Sequence, residues 1–151
     1  MSDLRVEELS ATNIVAANTL TLKPGQDQFV APVSHSISEA FVNPTNAWPR
    51  VVLDGDGEVL AFIMGNFDSD AEEEYFRCCI WRINVAAEAQ GHGVGRFAVE
   101  AVADEARTRG FETLSVLWES GEAGPEEFFL HLGFTVQGQT PYGENIGILP
   151  L

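Results

Sequence analysis

Basic residues are scarce in this chain, and Lys23 is its only lysine. Eight lysines and arginines stand against 23 aspartates and glutamates, which gives a formal net charge of −15 over 151 residues. A nucleic-acid partner is therefore disfavoured, because phosphate contacts need a basic face. Two interpretations of the acidic excess stay open: it serves only solubility, or its clusters at 68–74 and 119–127 steer a cationic substrate into a cleft.

The sequence also lacks a long apolar run, a disulfide pattern and a metal-ligand spacing. No stretch suits a membrane helix and residues 1–8 contain no signal-peptide core, so we expect a cytoplasmic protein without a membrane partner. Cys78 and Cys79 are neighbours on a predicted strand, where their side chains point to opposite faces, and we expect reduced thiols. The three histidines, His35, His92 and His131, are far apart in the sequence, so no metal site is predicted.

Glycine is concentrated where a predicted strand gives way to a helix. The segment Gln90-Gly91-His92-Gly93-Val94-Gly95-Arg96 has three glycines within five residues. Such a loop directs backbone N–H groups at a ligand, the helix dipole favours an anion, and the missing Cβ atoms let a phosphate come close. A P-loop and a dinucleotide fingerprint are both disfavoured, because Arg96 replaces the lysine of the first and the third glycine of the second. We therefore predict a pyrophosphate site.

Residues 1–151 are predicted to form one domain, with helices on both faces of a mixed sheet. Ser36–Glu39 has the spacing of a capping box, and either begins a helix or marks a turn within a longer one. In the long central strand, alternation predicts that Arg82 and Asn84 share a face with Cys78 and Ile80. Strands are predicted at 4–8, 50–53, 59–67, 75–85 and 113–118 with two more near the C-terminus, and helices at 14–20, 93–109 and 125–132.

The glycine loop, the helix ending at Arg109–Phe111 and the segment Phe128–Phe134 resemble the GNAT superfamily of N-acyltransferases, whose acyl-CoA loop reads Gln/Arg-x-x-Gly-x-Gly/Ala. Within it, the segments Gln26–Pro32, Trp48–Arg50, Trp81–Val85 and Gly121–Glu126 are similar to the bacterial spermine/spermidine acetyltransferase branch. The resemblance covers almost the whole chain. It implies the GNAT fold, an α/β (α+β) arrangement whose mixed, mostly antiparallel sheet of six to seven strands is splayed at its centre.

The resemblance also implies acetyl-CoA as the cosubstrate. The pantetheine arm would pair with the backbone of Ile83 and Val85 in the gap of the sheet. Main-chain N–H groups near Asn84 and Val85 would polarise the thioester carbonyl. The pyrophosphate would lie on the loop, with Gln90 as a polar partner and the backbone groups of Gly91, His92, Gly93, Val94, Gly95 and Arg96 around it.

Proton transfer is where the chain departs from the family pattern. Phe129 stands where superfamily members often carry the tyrosine that returns a proton to the leaving thiolate, and we expect its ring beside the acetyl-CoA sulfur. Asn84 stands where the branch tends to carry aspartate. The remaining candidates for proton transfer are Glu119, at a strand end expected to face the cleft, Tyr142, and His131 in the same helix as Phe129. Arg82 needs a partner, either a structural carboxylate or a substrate acid.

These features predict an acetyl-CoA-dependent N-acetyltransferase for a primary amine of a small molecule, with a polyamine such as spermidine as the favoured acceptor. Two alternatives stay open. One is an acetyltransferase for an amino acid, an antibiotic or a peptide N-terminus. The other is a catalytically weakened acyl-CoA-binding protein, which Asn84 and Phe129 would explain. Members of the superfamily are often dimers, so the resemblance is compatible with a homodimer.

Overall fold

A computed structural model describes residues 3–151 of the chain; Met1 and Ser2, which open the acidic N-terminal stretch, lie outside the described residues. Within that range the chain forms seven strands and four α-helices. The strands are β1 (Arg5–Glu8), β2 (Ala47–Leu53), β3 (Val59–Phe67), β4 (Cys78–Val85), β5 (Thr113–Trp118), β6 (Thr135–Gln139) and β7 (Asn145–Pro150), and the helices are α1 (Ile14–Asn18), α2 (Val33–Val42), α3 (Val94–Thr108) and α4 (Glu126–His131).

All seven strands join one sheet in the order β1-β2-β3-β4-β5-β7-β6. Every neighbouring pair is antiparallel except β4 and β5, which run parallel at the centre. The parallel pair needs a crossover connection, and α3 supplies it between the two strands. The predicted mixed, mostly antiparallel sheet is confirmed.

The centre of the sheet is open along most of its length. β4 and β5 are paired only at Cys79 with Ser115 and at Ile80 with Val116. Beyond these two positions, β4 continues to Val85 without a strand partner on its β5 side. The predicted central splay is therefore present, and it creates the gap that holds the candidate site.

Helices cover both faces of the sheet, as predicted. One apolar core lies between β3 and the helices α1 and α2, and it includes Phe62, Met64, Ala17 and Val33. The other core lies on the opposite face beneath α3 and α4, and its buried residues include Ile63, Ala98, Val99, Val102, Phe129 and Phe134. Consecutive residues of β3 thus serve different cores, since neighbouring side chains of a strand alternate between faces.

A β-bulge in β4 corrects one prediction about side-chain direction. Met64 of β3 pairs with Arg82, whereas the next residue, Gly65, pairs with Ile80, so Trp81 is the extra residue. The bulge reverses the alternation. Cys78 and Ile80 belong to the core on the α3 side, while Arg82 contacts Glu39 of α2. The prediction that Arg82 and Asn84 share a face with Cys78 and Ile80 was wrong for this reason.

Two further element predictions are refined. Ser36–Glu39 lies inside α2, which begins at Val33, so the second of the two interpretations holds and this segment caps no helix. The central strand begins at Cys78 rather than at Tyr75, because Glu74–Phe76 forms a turn of 3-10 helix. In the described part of the chain, no helix is both long and apolar enough to span a membrane.

Candidate active site

A cavity of about 730 Å³ occupies the gap between β4 and β5. Its walls come from the loop between α1 and α2, from β4, from the start of α3, and from β5 with the loop and helix that follow it. Gln90, Gly91 and Gly95 line it on the α3 side, and Ala31 and Arg82 line it on the α2 side. The cavity therefore passes through the splayed sheet, so that two ligands could meet inside it from opposite faces.

The glycine loop presents free backbone donors at the start of α3. The first intrahelical bond runs from the Phe97 N–H to the Gly93 carbonyl at 3.0 Å. The N–H groups of the first three helical residues, Val94, Gly95 and Arg96, therefore have no acceptor within the helix. Such groups, together with the helix dipole, form an anion site. The pyrophosphate position predicted from the sequence lies at these N–H groups, and its occupation stays a prediction.

The three glycines of the loop are required for two different reasons. Gly91 and Gly93 have φ angles of +81° and +83°, in the left-handed region that favours glycine, and the space beside them is open. Gly95 is a helical residue in close packing, because a Cβ there would lie 2.7 Å from Cε1 of Phe128. The third glycine thus brings α3 against α4 rather than making room for a ligand.

The backbone of β4 offers hydrogen-bonding groups to the gap at alternate residues. The Ala86 N–H donates to a carbonyl of β3 at 2.9 Å, so the Asn84 N–H, two residues earlier, also faces β3. Ile83 and Val85 direct their backbone groups the other way, toward β5, and the Val85 carbonyl accepts a bond from Gln90 Nε2 at 3.0 Å. The groups available to a ligand are therefore the N–H and carbonyl of Ile83 and the N–H of Val85, whereas the backbone groups of Asn84 face β3.

Gln90 is held by a second glutamine that the sequence did not single out. Gln26, in the loop between α1 and α2, donates to Gln90 Oε1 at 3.0 Å and accepts from Gln90 Nε2 at 2.8 Å. The side chain of Gln90 is thereby committed to protein groups. Gln26 lies in a segment with a family resemblance, but no local pattern reveals a pairing across 64 residues.

The side chain of Asn84 turns away from the gap toward α2. Its amide nitrogen donates to the Ala31 carbonyl at 3.2 Å, and the residue is 4% exposed. Its amide oxygen is buried without a partner. The structure does not bring Asn84 into the lining of the cavity, whereas its neighbours Ile83 and Val85 do line it.

Asn84 belongs to a polar seam between α2 and β4. Arg82 forms an ion pair with Glu39, with Nη2 lying 3.2 Å from Oε1 and 3.3 Å from Oε2. Of the two partners open to Arg82, the structural carboxylate is therefore the one found. Three buried polar atoms of this seam lack a hydrogen-bond partner: Arg82 Nε, Asn84 Oδ1 and Glu39 Oε1, which meets Arg82 only at ion-pair distance. In the described chain, Ser36 Oγ of α2 is also buried without a partner.

The loop between α1 and α2 closes one side of the cavity by touching the loop after β5. A Cβ on Gly121 would lie 2.5 Å from Cζ of Phe29, so the ring of Phe29 rests directly on that glycine. Nearby, a Cβ on Gly25 would lie 3.2 Å from Cβ of Ala123. Small residues at these points let the two loops meet.

Phe129 lines the cavity from α4 but is only 2% exposed. Its ring stacks on Trp118, with ring centroids 5.4 Å apart and planes at 22°. The indole nitrogen of Trp118 donates in turn to Glu126 Oε1 at 3.0 Å. Phe129 is thus fixed in an aromatic cluster at the wall of the cavity, and it carries no group that can donate a proton.

The remaining candidates for proton transfer lie in different surroundings, and His131 is exposed and outside the cavity lining. Glu119 follows β5 and lines the cavity, as its position at a strand end predicted. Tyr142 lies in the turn between β6 and β7, is 91% exposed and does not line the cavity. Glu144, two residues further along, does line it, and sequence reasoning missed this residue.

The family follows from a comparison of the sequence with family models. The model described as the acetyltransferase (GNAT) family matches residues 22–134. The chain belongs to the GNAT acetyltransferase family. The matched range contains the glycine loop, the whole central splay and α4. Among curated proteins, none matches the chain by sequence.

Solved structures show the same GNAT fold at low sequence identity. The ribosomal-protein-S18-alanine N-acetyltransferase of Escherichia coli is 21% identical over 97% of this chain and 93% of that one, with a TM-score of 0.68. Nourseothricin acetyltransferase is 20% identical over 99% of both chains, with a TM-score of 0.62. The N-acetylglutamate synthase of Neisseria gonorrhoeae, solved with coenzyme A and N-acetyl-glutamate, is 18% identical; the match covers all of this chain but 36% of that one, with a TM-score of 0.73.

GNAT enzymes use acetyl-CoA, and this chain is accordingly an N-acetyltransferase. Of the loop residues predicted to hold that cosubstrate, Gln90, Gly91 and Gly95 line the cavity. The other four, His92, Gly93, Val94 and Arg96, lie outside the lining, with Val94 buried and the rest exposed. Among residues 3–151, no group of three or more histidine, cysteine or acidic side chains could hold a metal ion.

Both cysteines form no disulfide and are buried. Cys79 is one of the two residues of β4 that pair with β5, and Cys78 comes directly before it. Burial raises the pKa of both the Cys78 and the Cys79 thiol from 9.0 to about 12. At neutral pH both groups are therefore protonated, and a thiol is far less nucleophilic than a thiolate. Neither cysteine fits the role of a catalytic nucleophile.

Proposed function

We propose that the enzyme transfers acetyl from acetyl-CoA to a primary amine of a small molecule, with a polyamine such as spermidine as the favoured acceptor. One observation carries the proposal: the cavity runs through the splayed sheet, with free backbone donors on its α3 side and acidic side chains elsewhere in its wall. A polyanionic donor and a cationic acceptor would thus enter different parts of the same cavity.

Backbone groups rather than side chains would bind the acetyl-CoA donor. The N–H groups at the start of α3 would hold the pyrophosphate. The pantetheine arm would pair with the N–H and carbonyl of Ile83 and with the N–H of Val85, since the Val85 carbonyl is bonded to Gln90. The Val85 N–H, which faces the gap, is the donor best placed to polarise the thioester carbonyl. Asn84 supports this strand from the other side, through its bond to Ala31.

The acceptor half of the proposal rests on charge. Three acidic side chains line the cavity, Asp27, Glu119 and Glu144. Of the two cations in the described lining, Arg82 is neutralised by Glu39, and Lys23 lies on the loop tied to the glycine loop. A protonated alkylamine would be attracted by this arrangement, and a net charge of −15 adds a long-range field of the same sign. An acceptor with several ammonium groups would gain most.

The chemical step requires three proton movements. The protonated acceptor nitrogen must lose one proton before it attacks the thioester carbon, and we assign this proton to Glu119, directly or through water. As the C–N bond forms and the C–S bond breaks, the nitrogen loses its second proton to water, which gives the neutral amide, and the thiolate of coenzyme A leaves. Phe129 cannot protonate that thiolate, so water or Tyr142 must do so; Tyr142 would have to swing in from the surface.

The direct test is release of coenzyme A thiol with a panel of amines: spermidine, lysine, an aminoglycoside and a peptide with a free N-terminus. We expect the highest kcat/KM with spermidine. A higher value with the peptide, the amino acid or the antibiotic would reassign the acceptor to the classes named for the solved relatives. Binding of acetyl-CoA without turnover of any amine would favour the weakened acyl-CoA-binding protein.

We also propose a cytoplasmic enzyme made of a single domain. The two reduced, buried thiols support a reducing compartment. A homodimer is proposed from the family resemblance alone, and sedimentation of the purified chain tests it.

A further inference from the structure

Coenzyme A carries several negative charges on its phosphates, and this chain is itself strongly acidic. Arg96, the cation that the sequence placed beside the glycine loop, is exposed and lies outside the cavity lining. Only two cationic side chains are among the described lining residues, Lys23 and Arg82. Arg82 is ion-paired with Glu39 on the α2 side. Lys23 is therefore the one cation of the lining that remains free for a ligand.

Lys23 is fixed next to the glycine loop by its own backbone. Its N–H donates to Gln26 Oε1 at 3.0 Å, and its carbonyl accepts from the Gln26 N–H at 3.1 Å. Gln26 is bound in turn to Gln90, the first residue of the loop, through the two amide bonds described above. The amine-bearing side chain of Lys23 thus projects from a segment tied to the phosphate end of the cavity, where Gly91 also lies.

We propose that Lys23 binds the phosphate groups of the acetyl-CoA donor. This inference rests on the proposed donor site. An exposed ammonium group is a strongly hydrated point charge that suits phosphate oxygens, and its bond to a phosphate is charge-assisted. Among the described residues Lys23 forms no ion pair, although the exposed Asp27 lies four positions along the same loop.

The backbone donors of α3 and the ammonium of Lys23 would then hold the phosphates from two sides. The backbone groups contribute partial charges in a fixed arrangement, and Lys23 contributes a full positive charge from the loop between α1 and α2. It follows that the chain distinguishes donors by their phosphates: a short donor without phosphates gains nothing from Lys23.

The test compares Lys23→Ala and Lys23→Arg with the wild-type chain. Calorimetry should show that Lys23→Ala binds coenzyme A about tenfold more weakly, as expected for the loss of one charged hydrogen bond, and that Lys23→Arg stays close to wild type. Binding by Lys23→Ala should also depend less on salt, because one screened attraction has been removed. In turnover, KM for acetyl-CoA should rise while kcat/KM for S-acetyl-pantetheine, which lacks the phosphates, stays the same.

Arg107→Ala is the matched control. It removes one positive charge at the far end of α3, where Arg107 forms an exposed pair with Asp104, and it should leave coenzyme A affinity unchanged. An equal loss in this control would assign the effect to net charge. Two results would overturn the role of Lys23 but leave the proposed donor standing. One is an equal loss of kcat/KM with acetyl-CoA and with S-acetyl-pantetheine in Lys23→Ala, and the other is wild-type coenzyme A affinity in that variant. Failure of the wild-type chain to bind coenzyme A would overturn the proposed donor as well.

Discussion

The ring of Phe29 occupies the space that a side chain on Gly121 would need. Cζ of the ring lies 2.5 Å from the position of a Cβ on that glycine, closer than real Cβ atoms approach other atoms. Phe29 comes from the loop between α1 and α2, and Gly121 follows β5, so this contact joins the two walls of the cavity. The width of the cavity on that side depends on it.

We expect Gly121→Ala to push the Phe29 ring away and widen the cavity. Because Cζ is the far end of a side chain that can move, the loss of stability should be small, about 1 kcal/mol. The KM for the acceptor should rise more than the KM for acetyl-CoA. Gly55→Ala is the control, since its Cβ would meet only Asp3, at 3.4 Å. Unchanged acceptor kinetics in Gly121→Ala would show that the contact does not shape the site.

Acetyl-CoA should stabilise the folded chain. At about one hundred times its Kd a ligand adds about 2.7 kcal/mol, which for a domain of this size raises the Tm by roughly 5–10 °C. Gly93→Asp should abolish the rise, because it puts a carboxylate beside the phosphate site. Gly143→Asp is the matched control: its φ of +86° gives the same backbone strain, again in open space. If both variants keep the full shift, the loop does not bind the phosphates.

Steering of a polyamine by acidic residues predicts a steep dependence on salt. The kcat/KM for spermidine should fall as ionic strength rises, because attraction between exposed charges is screened over about 10 Å at 0.1 M salt. An acceptor with a single amine and a neutral side chain should respond much less. A similar salt dependence for both acceptors would leave the acidic surface with a role in solubility only.

Two variants, Phe129→Tyr and Tyr142→Phe, test which group protonates the leaving thiolate, because Phe129 itself has no hydroxyl. Phe129→Tyr should raise kcat if thiolate protonation limits the rate, since general acid catalysis contributes about 10²–10⁴-fold, and KM for acetyl-CoA should change little. Tyr142→Phe should lower kcat only if Tyr142 supplies that proton. Rapid-quench measurement of the acetyl-transfer step separates these cases. Wild-type rates in both variants would remove both residues from proton transfer.

The buried thiols predict a loss of stability at high pH. A thiol whose pKa rises from 9.0 to about 12 on folding stabilises the native chain in full below about pH 9, and this contribution is lost progressively as pH rises toward 12. Cys78→Ser and Cys79→Ser should lessen the decline in urea-unfolding free energy between pH 8 and 10.5. At pH 8 a disulfide reagent should modify the native chain no faster than it unfolds; rapid labelling would show that the thiols are accessible.

The features that the sequence predicted are those with local causes. The strand Thr113–Trp118 has the predicted bounds, and α3 lies within one residue of its prediction at each end, because glycines flank it. The bulge at Trp81 could not be foreseen, since it arises from the pairing of β4 with β3 and leaves no pattern in β4 itself. Without that bulge in the prediction, Arg82 was assigned to the wrong face.

Within the candidate site, the backbone conformation of the glycine loop could be predicted from the sequence. The contacts between side chains that are distant in the sequence could not. At Gly91 and Gly93 the residue type alone indicates a turn with positive φ. The pairing of Gln26 with Gln90, and of Arg82 with Glu39, depends on how the loop after α1 and the helix α2 fold back on β4. A glutamine, an arginine or a glutamate could pair with many other residues of the sequence. Which of them it contacts is decided only by the tertiary structure.

The short contact between β4 and β5 divides the sheet into two hydrogen-bonded blocks, β1–β4 and β5–β7–β6, linked by two paired positions. Helices and apolar packing therefore carry most of the mechanical connection between the blocks. A pantetheine arm bonded to Ile83 and Val85 would hydrogen-bond to the free edge of β4 as an additional strand would. If an arm that fills the gap also couples the two blocks, amide hydrogen exchange should slow across β5–β7–β6 as well as at Ile83 and Val85; slowing confined to β4 would show that the blocks stay uncoupled.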